Sequence, residues 1–137
     1  TILELCGAGP LPNIHGKSWV KLAQGDRTGW RTAFHYEYNY EKQFPYTPNI
    51  RGVRTGEWKY IRYPHGDSGP DRHMGELYYL ASDPEEVRNL IASPRHQHKV
   101  YELQAELFRT MAETGSFPDV MPLDAGIKDE LPDLKIR

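Results

Sequence analysis

Polar side chains that could bind an anion or a sugar ring are concentrated between residues 35 and 54. Arg51 and Arg54 suit bidentate recognition of sulfate, phosphate or carboxylate, and tyrosine suits stacking on a sugar or base. Residues 51 and 54 of a strand point to opposite faces, so at most one can share a face with His35 and Glu37. The most suggestive polar group in the sequence contains His35, Glu37, Tyr46, Thr47, Arg51 and Arg54. The spacing alone favours a plainer interpretation, a solvated sheet edge with aromatic packing.

The rest of the sequence offers little catalytic chemistry. Cys6, the single cysteine, ends the apolar run of residues 3–6 and is predicted to be a small buried residue rather than a nucleophile. A single cysteine excludes an internal disulfide framework and a cysteine-based zinc cluster. The sequence has no His-Glu-x-x-His motif, phosphate-binding glycine loop or Gly-x-Ser-x-Gly elbow. We therefore predict no catalytic residue and no metal site in this chain.

Strand-forming segments predict the frame that positions these side chains. The segment 32–38 alternates, with Phe34, Tyr36 and Tyr38 on one face and His35 and Glu37 on the other. Gly56-Glu57 separates two further strand-like runs and predicts a hairpin in which Gly56 adopts a positive φ. The four predicted strands cover residues 32–38, 50–55, 58–63 and 76–80.

Helical signals follow the strands. Asp83-Pro84-Glu85-Glu86 predicts a helical turn, and Ser93-Pro94 predicts the start of a longer helix that Gly115 ends. An apolar stripe at helical spacing marks the buried face of that helix: Val100, Leu103, Leu107 and Met111. The fold class is therefore predicted as α+β, a small antiparallel sheet of four strands with one long helix packed on one face.

The predicted organisation has three parts. Residues 1–29 form a helix end and a connecting segment, residues 30–115 form the α+β unit, and residues 116–137 form an irregular tail with three prolines. Because a domain seldom begins inside a helix, the chain is interpreted as a piece of a longer protein. Both terminal segments are expected to lie on a partner.

Composition excludes several classes of protein. Seventeen Lys and Arg against nineteen Asp and Glu give a net charge of −2 in 137 residues, which argues against a dedicated nucleic-acid-binding domain. No apolar run approaches the roughly 20 residues that a membrane-spanning helix needs. Sixteen aromatic residues, nine of them tyrosine, argue for a folded chain.

The hairpin and the segment after it resemble sulfatases, which belong to the alkaline-phosphatase-like superfamily. RGVRTGEWKYIR at 51–62 is similar to the family pattern R-x-V-R-T-x-x-x-K-Y-I. ELYYL at 76–80, DPEE at 83–86 and NL at 89–90 are similar to E-L-Y-D-L-x-x-D-P-x-E-x-x-N-L, although Tyr79 replaces the usual Asp.

Two upstream segments extend this resemblance toward the start of the chain. TILELCG at 1–7 is similar to the end of P-T-I-L-D-L-A-G, and HGKSW at 15–19 is similar to x-G-x-S-L. The resemblance therefore runs from Thr1 to Gly115 in the family's own order and spacing. FHYEY at 34–38, with the proline-containing connection after it, further resembles members that act on sulfated glycosaminoglycan sugars.

The resemblance implies a parent enzyme that hydrolyses sulfate esters or sulfamates with formylglycine and a divalent cation, usually calcium. In the family, formylglycine is made from a C/S-x-P-x-R motif, and Asp-Asp and Asp-Asn/Gln pairs hold the cation, all in a large N-terminal α/β domain. Here Gly7-Ala8-Gly9 follows Cys6, and the chain has no Asp-Asp or Asp-Asn pair.

This chain would therefore correspond to the small C-terminal subdomain, inactive by itself. It would pack on the large domain and face a sulfated carbohydrate through the connection from Asn39 to Asn49. The candidate substrate-binding residues in the parent would be His35, Glu37, Tyr46, Thr47 and Arg51. The parent is expected to be periplasmic, secreted or lysosomal.

Two other functions stay open at this point. The chain could be a free-standing binding module for anionic carbohydrate that uses Arg51, Arg54, Lys59 and Arg62 with tyrosine partners. It could also bind single-stranded nucleic acid on its sheet, although the net charge counts against this. No membrane association is expected. Self-association is expected, because an apolar surface without its partner domain tends to find another.

Overall fold

The structure is a computed structural model that describes residues 1–39, 49–64 and 75–119. Contacts divide the chain into two compact units, Thr1–Thr32 and Ala33–Arg137, each considered by itself. No helix of the described residues is long and apolar enough to cross a membrane.

The second unit is built on a four-stranded antiparallel meander, which confirms the predicted sheet. Each strand pairs with the next along the chain, giving the order β1-β2-β3-β4. In the register of the sheet, His35 pairs with Val53, Val53 with Tyr60, and Tyr60 with Leu77. The strands are β1 Ala33–Tyr38, β2 Ile50–Thr55, β3 Trp58–Arg62 and β4 Glu76–Tyr79.

The hairpin between β2 and β3 forms as predicted, but its turn is stabilised by a different interaction from the one predicted. Gly56 does not adopt a positive φ. Instead the Thr55 hydroxyl accepts a hydrogen bond from the Trp58 backbone N–H at 3.0 Å. A threonine side chain can take the bond that a backbone carbonyl would otherwise accept, so the glycine need not enter the left-handed region.

A long helix covers one face of the sheet and completes the predicted α+β fold. The helix α3 spans Gln97–Glu113 and follows a single 3₁₀ turn at Pro94–His96. Its predicted stripe is confirmed, because Leu103, Leu107 and Met111 are fully buried and Val100 packs at their margin. Against them lie the inward-facing sheet residues Ala33, Val53, Tyr60 and Leu77.

The predicted helical turn at Asp83–Glu86 is wrong. Both oxygens of the Asp83 carboxylate accept backbone hydrogen bonds, from Val87 N–H at 3.0 Å and Arg88 N–H at 2.9 Å. Glu86 has a φ of 56°, which ends any helical path. Aspartate can form such local turns with its own side chain, and here this turn competes successfully with the helix.

The same segment is then fastened to β4 by Asn89. Its amide oxygen accepts the Leu77 and Ile91 N–H groups, both at 3.0 Å, and its NH₂ group donates to the Gly75 carbonyl at 3.1 Å. The Leu90 N–H also donates to the Leu77 carbonyl. At this edge of the sheet, the side chain of Asn89 therefore makes backbone hydrogen bonds of the kind that a neighbouring strand would make.

The first unit contains two short helices, α1 at Ile2–Leu5 and α2 at Val20–Ala23. None of its residues is buried, and Ile2, Leu5, Leu11, Ile14 and Trp19 expose half or more of their surface. Cys6 is exposed, so its predicted burial is wrong. A helix of one turn has no second layer within this unit against which Cys6 could pack.

Candidate functional site

Three of the predicted site residues meet at one corner of the sheet. In the register of β1 and β2, Glu37 lies opposite Arg51, and His35 lies two residues away on the same face. Arg54 lies opposite Phe34 on the other face. The expectation that at most one of the two arginines shares the face of His35 and Glu37 is confirmed. Tyr46 and Thr47 lie outside the described residues.

The guanidinium of Arg51 is held by four hydrogen bonds. Its Nη1 donates to the Tyr38 carbonyl at 3.2 Å and to the Ile50 carbonyl at 2.9 Å. Its Nε and Nη2 donate to the two carboxylate oxygens of Asp119, at 3.0 and 3.2 Å. This fork-to-fork pairing with a carboxylate is the strongest geometry available to arginine.

The chain beyond α3 supplies the opposite wall of this corner. The Thr114 hydroxyl lies 3.4 Å from His35 Nε2, and the Ser116 hydroxyl donates to Glu37 Oε1 at 3.4 Å. Gly115 has a φ of 76°, and this left-handed residue turns the chain back at the end of the helix. Asp119 then reaches Arg51.

Burial separates the roles of the charged groups. The Arg51 side chain is 3% exposed, Asp119 is 15% exposed and Glu37 is 37% exposed. Glu37 Oε2 lies 3.7 Å from Arg51 Nε, so one buried cation lies beside two carboxylates. Of the two carboxylates, Glu37 presents the accessible oxygens. Such a carboxylate can accept hydrogen bonds from the hydroxyl or amine groups of a sugar.

The contribution of Asp119 was not predicted from the sequence. Asp119 is 68 residues from its partner and falls in the part interpreted as an irregular tail. Neither a motif nor a periodicity links it to Arg51. Thr114 and Ser116 were missed for the same reason.

The opposite face of the sheet carries a second polar group around Glu76. The hydroxyls of Tyr63 and Tyr78 donate to its two carboxylate oxygens, both at 2.6 Å. The Tyr36 hydroxyl is buried without a hydrogen-bond partner. Burial, and to a lesser extent the charges of Glu86 and Glu76, raise the pKa of Tyr36 to about 12. Burial and the bond to Glu76 also raise the pKa of Tyr63. The phenols of Tyr36 and Tyr63 therefore stay protonated at neutral pH.

The corner does not fit a calcium ion. Calcium takes six to eight oxygen ligands, whereas the two carboxylates here face the guanidinium of Arg51. Among residues 1–39, 49–64 and 75–119, no group of three or more His, Cys, Asp or Glu side chains could hold a metal ion.

Comparison with known proteins places the chain among sulfatases. The family model for the C-terminal region of N-sulphoglucosamine sulphohydrolase matches residues 1–113. No curated protein sequence matches the chain. Among solved structures, BT4656 in complex with its substrate D-glucosamine-2-N,6-O-disulfate is 25% identical, with a TM-score of 0.71 over 86% of this chain and 24% of that one.

Two further solved structures share the fold. The 2-O GAG sulfatase BT1596 is 23% identical, with a TM-score of 0.76 over 95% of this chain and 27% of that chain. The phosphonate monoester hydrolase of Agrobacterium radiobacter is also 23% identical, with a TM-score of 0.61 over 83% of this chain and 24% of that chain.

The chain therefore spans 24–27% of the length of these solved proteins. The family match extends over 113 of the 137 residues, and it covers the hairpin, the Asp83–Leu90 segment and α3. On this evidence the chain belongs to the family of N-sulphoglucosamine sulphohydrolase C-terminal domains.

Proposed function

We propose that the whole protein is a sulfatase that acts on sulfated glycosaminoglycan sugars, with this chain as its non-catalytic C-terminal domain. The observation that carries the proposal is the family match over residues 1–113. The structural likeness to BT4656, solved with a sulfated glucosamine substrate, supports the substrate class.

Formylglycine and calcium would belong to the remainder of the protein. This chain has neither a C/S-x-P-x-R sequence nor the paired aspartates that hold calcium in sulfatases. The exposed apolar side chains of the first unit, including Ile2, Leu5 and Trp19, support burial against a large N-terminal domain.

The proposed substrate-facing part of the domain is the corner that contains Glu37. Among its described residues, Glu37 combines an accessible charged group with two polar neighbours that orient it, Arg51 and Ser116. His35 lies on the same strand and contacts Thr114. Tyr46 and Thr47 belong to the connection between β1 and β2 and complete the proposed set.

The alternative of a free-standing module for anionic carbohydrate finds less support. It required a shared surface of basic residues, but the register puts Arg51 and Arg62 on one face of the sheet and Arg54 and Lys59 on the other. Arg51 is bonded to Asp119, and Lys59 Nζ lies 2.6 Å from Glu86.

The proposed function is tested by sulfate release from the full-length enzyme and from this chain alone. Substrates are N-sulfated and O-sulfated glucosamines and a small aryl sulfate. We expect release by the full-length enzyme only, with higher kcat/KM on the sulfated sugars. Turnover by this chain alone, or no turnover of any sulfated sugar by the full-length enzyme, would contradict the proposal.

Residue-level substitutions in the full-length enzyme test the substrate-facing corner. Glu37→Gln removes a charged acceptor and is expected to lower kcat/KM for the sulfated sugar by about tenfold, as for one hydrogen bond to a charged group. Glu57→Gln, an exposed glutamate in the turn between β2 and β3, is the control and should change little. Equal activities of the two variants would remove Glu37 from the site.

A further inference from the structure

Arg51 connects three segments of backbone that are remote from one another in sequence. Its Nη1 atom binds the carbonyl of the last residue of β1, Tyr38, and that of the first residue of β2, Ile50. Its other edge binds Asp119, beyond the end of α3. One side chain thus fixes the ends of two strands and the segment that follows the helix.

This connection depends on burial. The Arg51 residue is 2% exposed, and its guanidinium is surrounded by the acceptors that it binds. A buried guanidinium that loses an acceptor retains a charge that water cannot reach, so the arrangement favours a single geometry. Its long side chain has little freedom to turn toward a ligand.

Glu37 is the exposed group that this arrangement orients. One carboxylate oxygen lies 3.7 Å from Arg51 Nε, and the other accepts the Ser116 hydroxyl at 3.4 Å. Ser116 in turn lies in the segment that Arg51 holds through Asp119. One neighbour of the Glu37 carboxylate is therefore Arg51 itself, and the position of the other, Ser116, depends on Arg51 through the backbone.

We propose that Arg51 is a positioning residue that orients Glu37 toward the sugar hydroxyl or amine groups of the substrate and makes no contact with sulfate itself. The proposal rests on the proposed function. A sulfate group approaching the Nε–Nη2 edge would have to displace Asp119, and it would meet the negative charges of both Asp119 and Glu37. The guanidinium of Arg51 is therefore already occupied, whereas the accessible carboxylate of Glu37 suits neutral or cationic groups of the sugar.

The test compares Arg51→Gln, Glu37→Gln and the double variant in the full-length enzyme, using N-sulfated glucosamine and a small aryl sulfate. Arg51→Gln is expected to raise KM for the sugar about tenfold, as Glu37→Gln does, with kcat changed less than about twofold. Neither variant should alter turnover of the aryl sulfate. The double variant should be no worse than either single variant, because both act on one interaction.

Arg109→Gln is the matched control. Arg109 also pairs with two carboxylates, those of Glu106 and Glu113, but its side chain is 51% exposed on α3. We expect unchanged kinetics on both substrates. Asp119→Asn provides a second route if Arg51→Gln fails to fold, since it weakens the same pairing while keeping the volume and one acceptor. It should reproduce the rise in KM for the sugar.

Two results would overturn the assignment. Losses that add in the double variant would show that Arg51 contacts the substrate independently of Glu37. Equal losses on the aryl sulfate and the sugar would show a general structural effect. If the unmodified enzyme turns over no sulfated sugar, the proposed function itself fails, and the positioning role fails with it.

Discussion

The ring of Tyr36 lies directly over Gly52, its partner across β1 and β2. A Cβ atom built on Gly52 would lie 2.2 Å from Tyr36 Cζ, well inside any permitted contact. Glycine is therefore required at position 52 because any side chain would collide with the Tyr36 ring. Its backbone conformation is not the reason, since its φ is not in the left-handed region. An aromatic ring that covers a glycine in this way restores packing that the glycine alone could not supply.

Gly52→Ala is expected to destabilise the chain by about 1–3 kcal/mol, because the new methyl group must displace the Tyr36 ring. Gly56→Ala is the control, since its Cβ would meet nothing within 4 Å. Urea unfolding of the two variants measures the difference. Equal midpoints for the two variants would contradict the close approach.

Tyr36→Phe is expected to leave stability unchanged or raise it by about 1 kcal/mol, because it removes a buried hydroxyl that has no partner. Tyr78→Phe should have the opposite effect. It breaks the 2.6 Å bond to Glu76 within a residue that is 4% exposed. Thermal unfolding of both variants at neutral pH checks the contrast, and equal losses would contradict it.

Alkaline pH should destabilise the chain through its tyrosines. The pKa of Tyr36 is about 12 in the folded chain against 10.0 for an ordinary tyrosine. The unfolded chain therefore releases this proton first, so the stabilisation is fully present below pH 10 and is lost as the pH rises toward 12. Comparing unfolding midpoints at neutral pH and pH 11, we expect a smaller loss in Tyr36→Phe than in the unmodified chain. Tyr63, whose pKa is also raised, would account for a remaining part of the loss.

Leu107→Ala should cost about 2–5 kcal/mol, because Leu107 is fully buried between α3 and the sheet. Tyr101→Ala on the same helix is the control, since Tyr101 is 68% exposed. Chemical unfolding of both variants, followed by circular dichroism, gives the comparison. A similar loss in both would show that α3 does not pack through the face described.

Asn89→Ala should destabilise the chain by about 1–3 kcal/mol, because the Leu77 N–H loses its acceptor at the sheet edge. Arg88→Ala, in the exposed neighbouring residue, is the control. Amide hydrogen exchange in the full-length enzyme reports the effect directly. Faster exchange at Leu77 and Ile91 in Asn89→Ala alone is the expected result.

The sheet and the helix could be predicted because their signals are local. Runs of strand-forming residues define the four strands, which are four to six residues long, and the spacing of Leu103, Leu107 and Met111 defines the buried side of α3. The turn at Asp83 could not be predicted in the same way. Its sequence suits both a helix start and a side-chain-bonded turn, and the positive φ of Glu86 distinguishes the two only in the folded chain.

Only half of the residues at the polar corner could be predicted from the sequence. Alternation along β1 puts His35 and Glu37 on one face, and the pairing with β2 then adds Arg51. Asp119, Thr114 and Ser116 reach the corner only through the tertiary path of the chain around the end of α3. A contact across 68 residues leaves no periodic trace in one sequence.

The pairing of Arg51 with Asp119 also bears on where this domain can be cut. The family match and α3 both end at residue 113, which makes that position a natural choice for a shortened expression boundary. A protein ending there would keep every strand and helix that the structure describes, but it would lose the carboxylate that pairs in bidentate fashion with the buried guanidinium of Arg51. Such a loss costs about 3–5 kcal/mol, comparable to the entire stability of many small domains. A boundary beyond Asp119 avoids it.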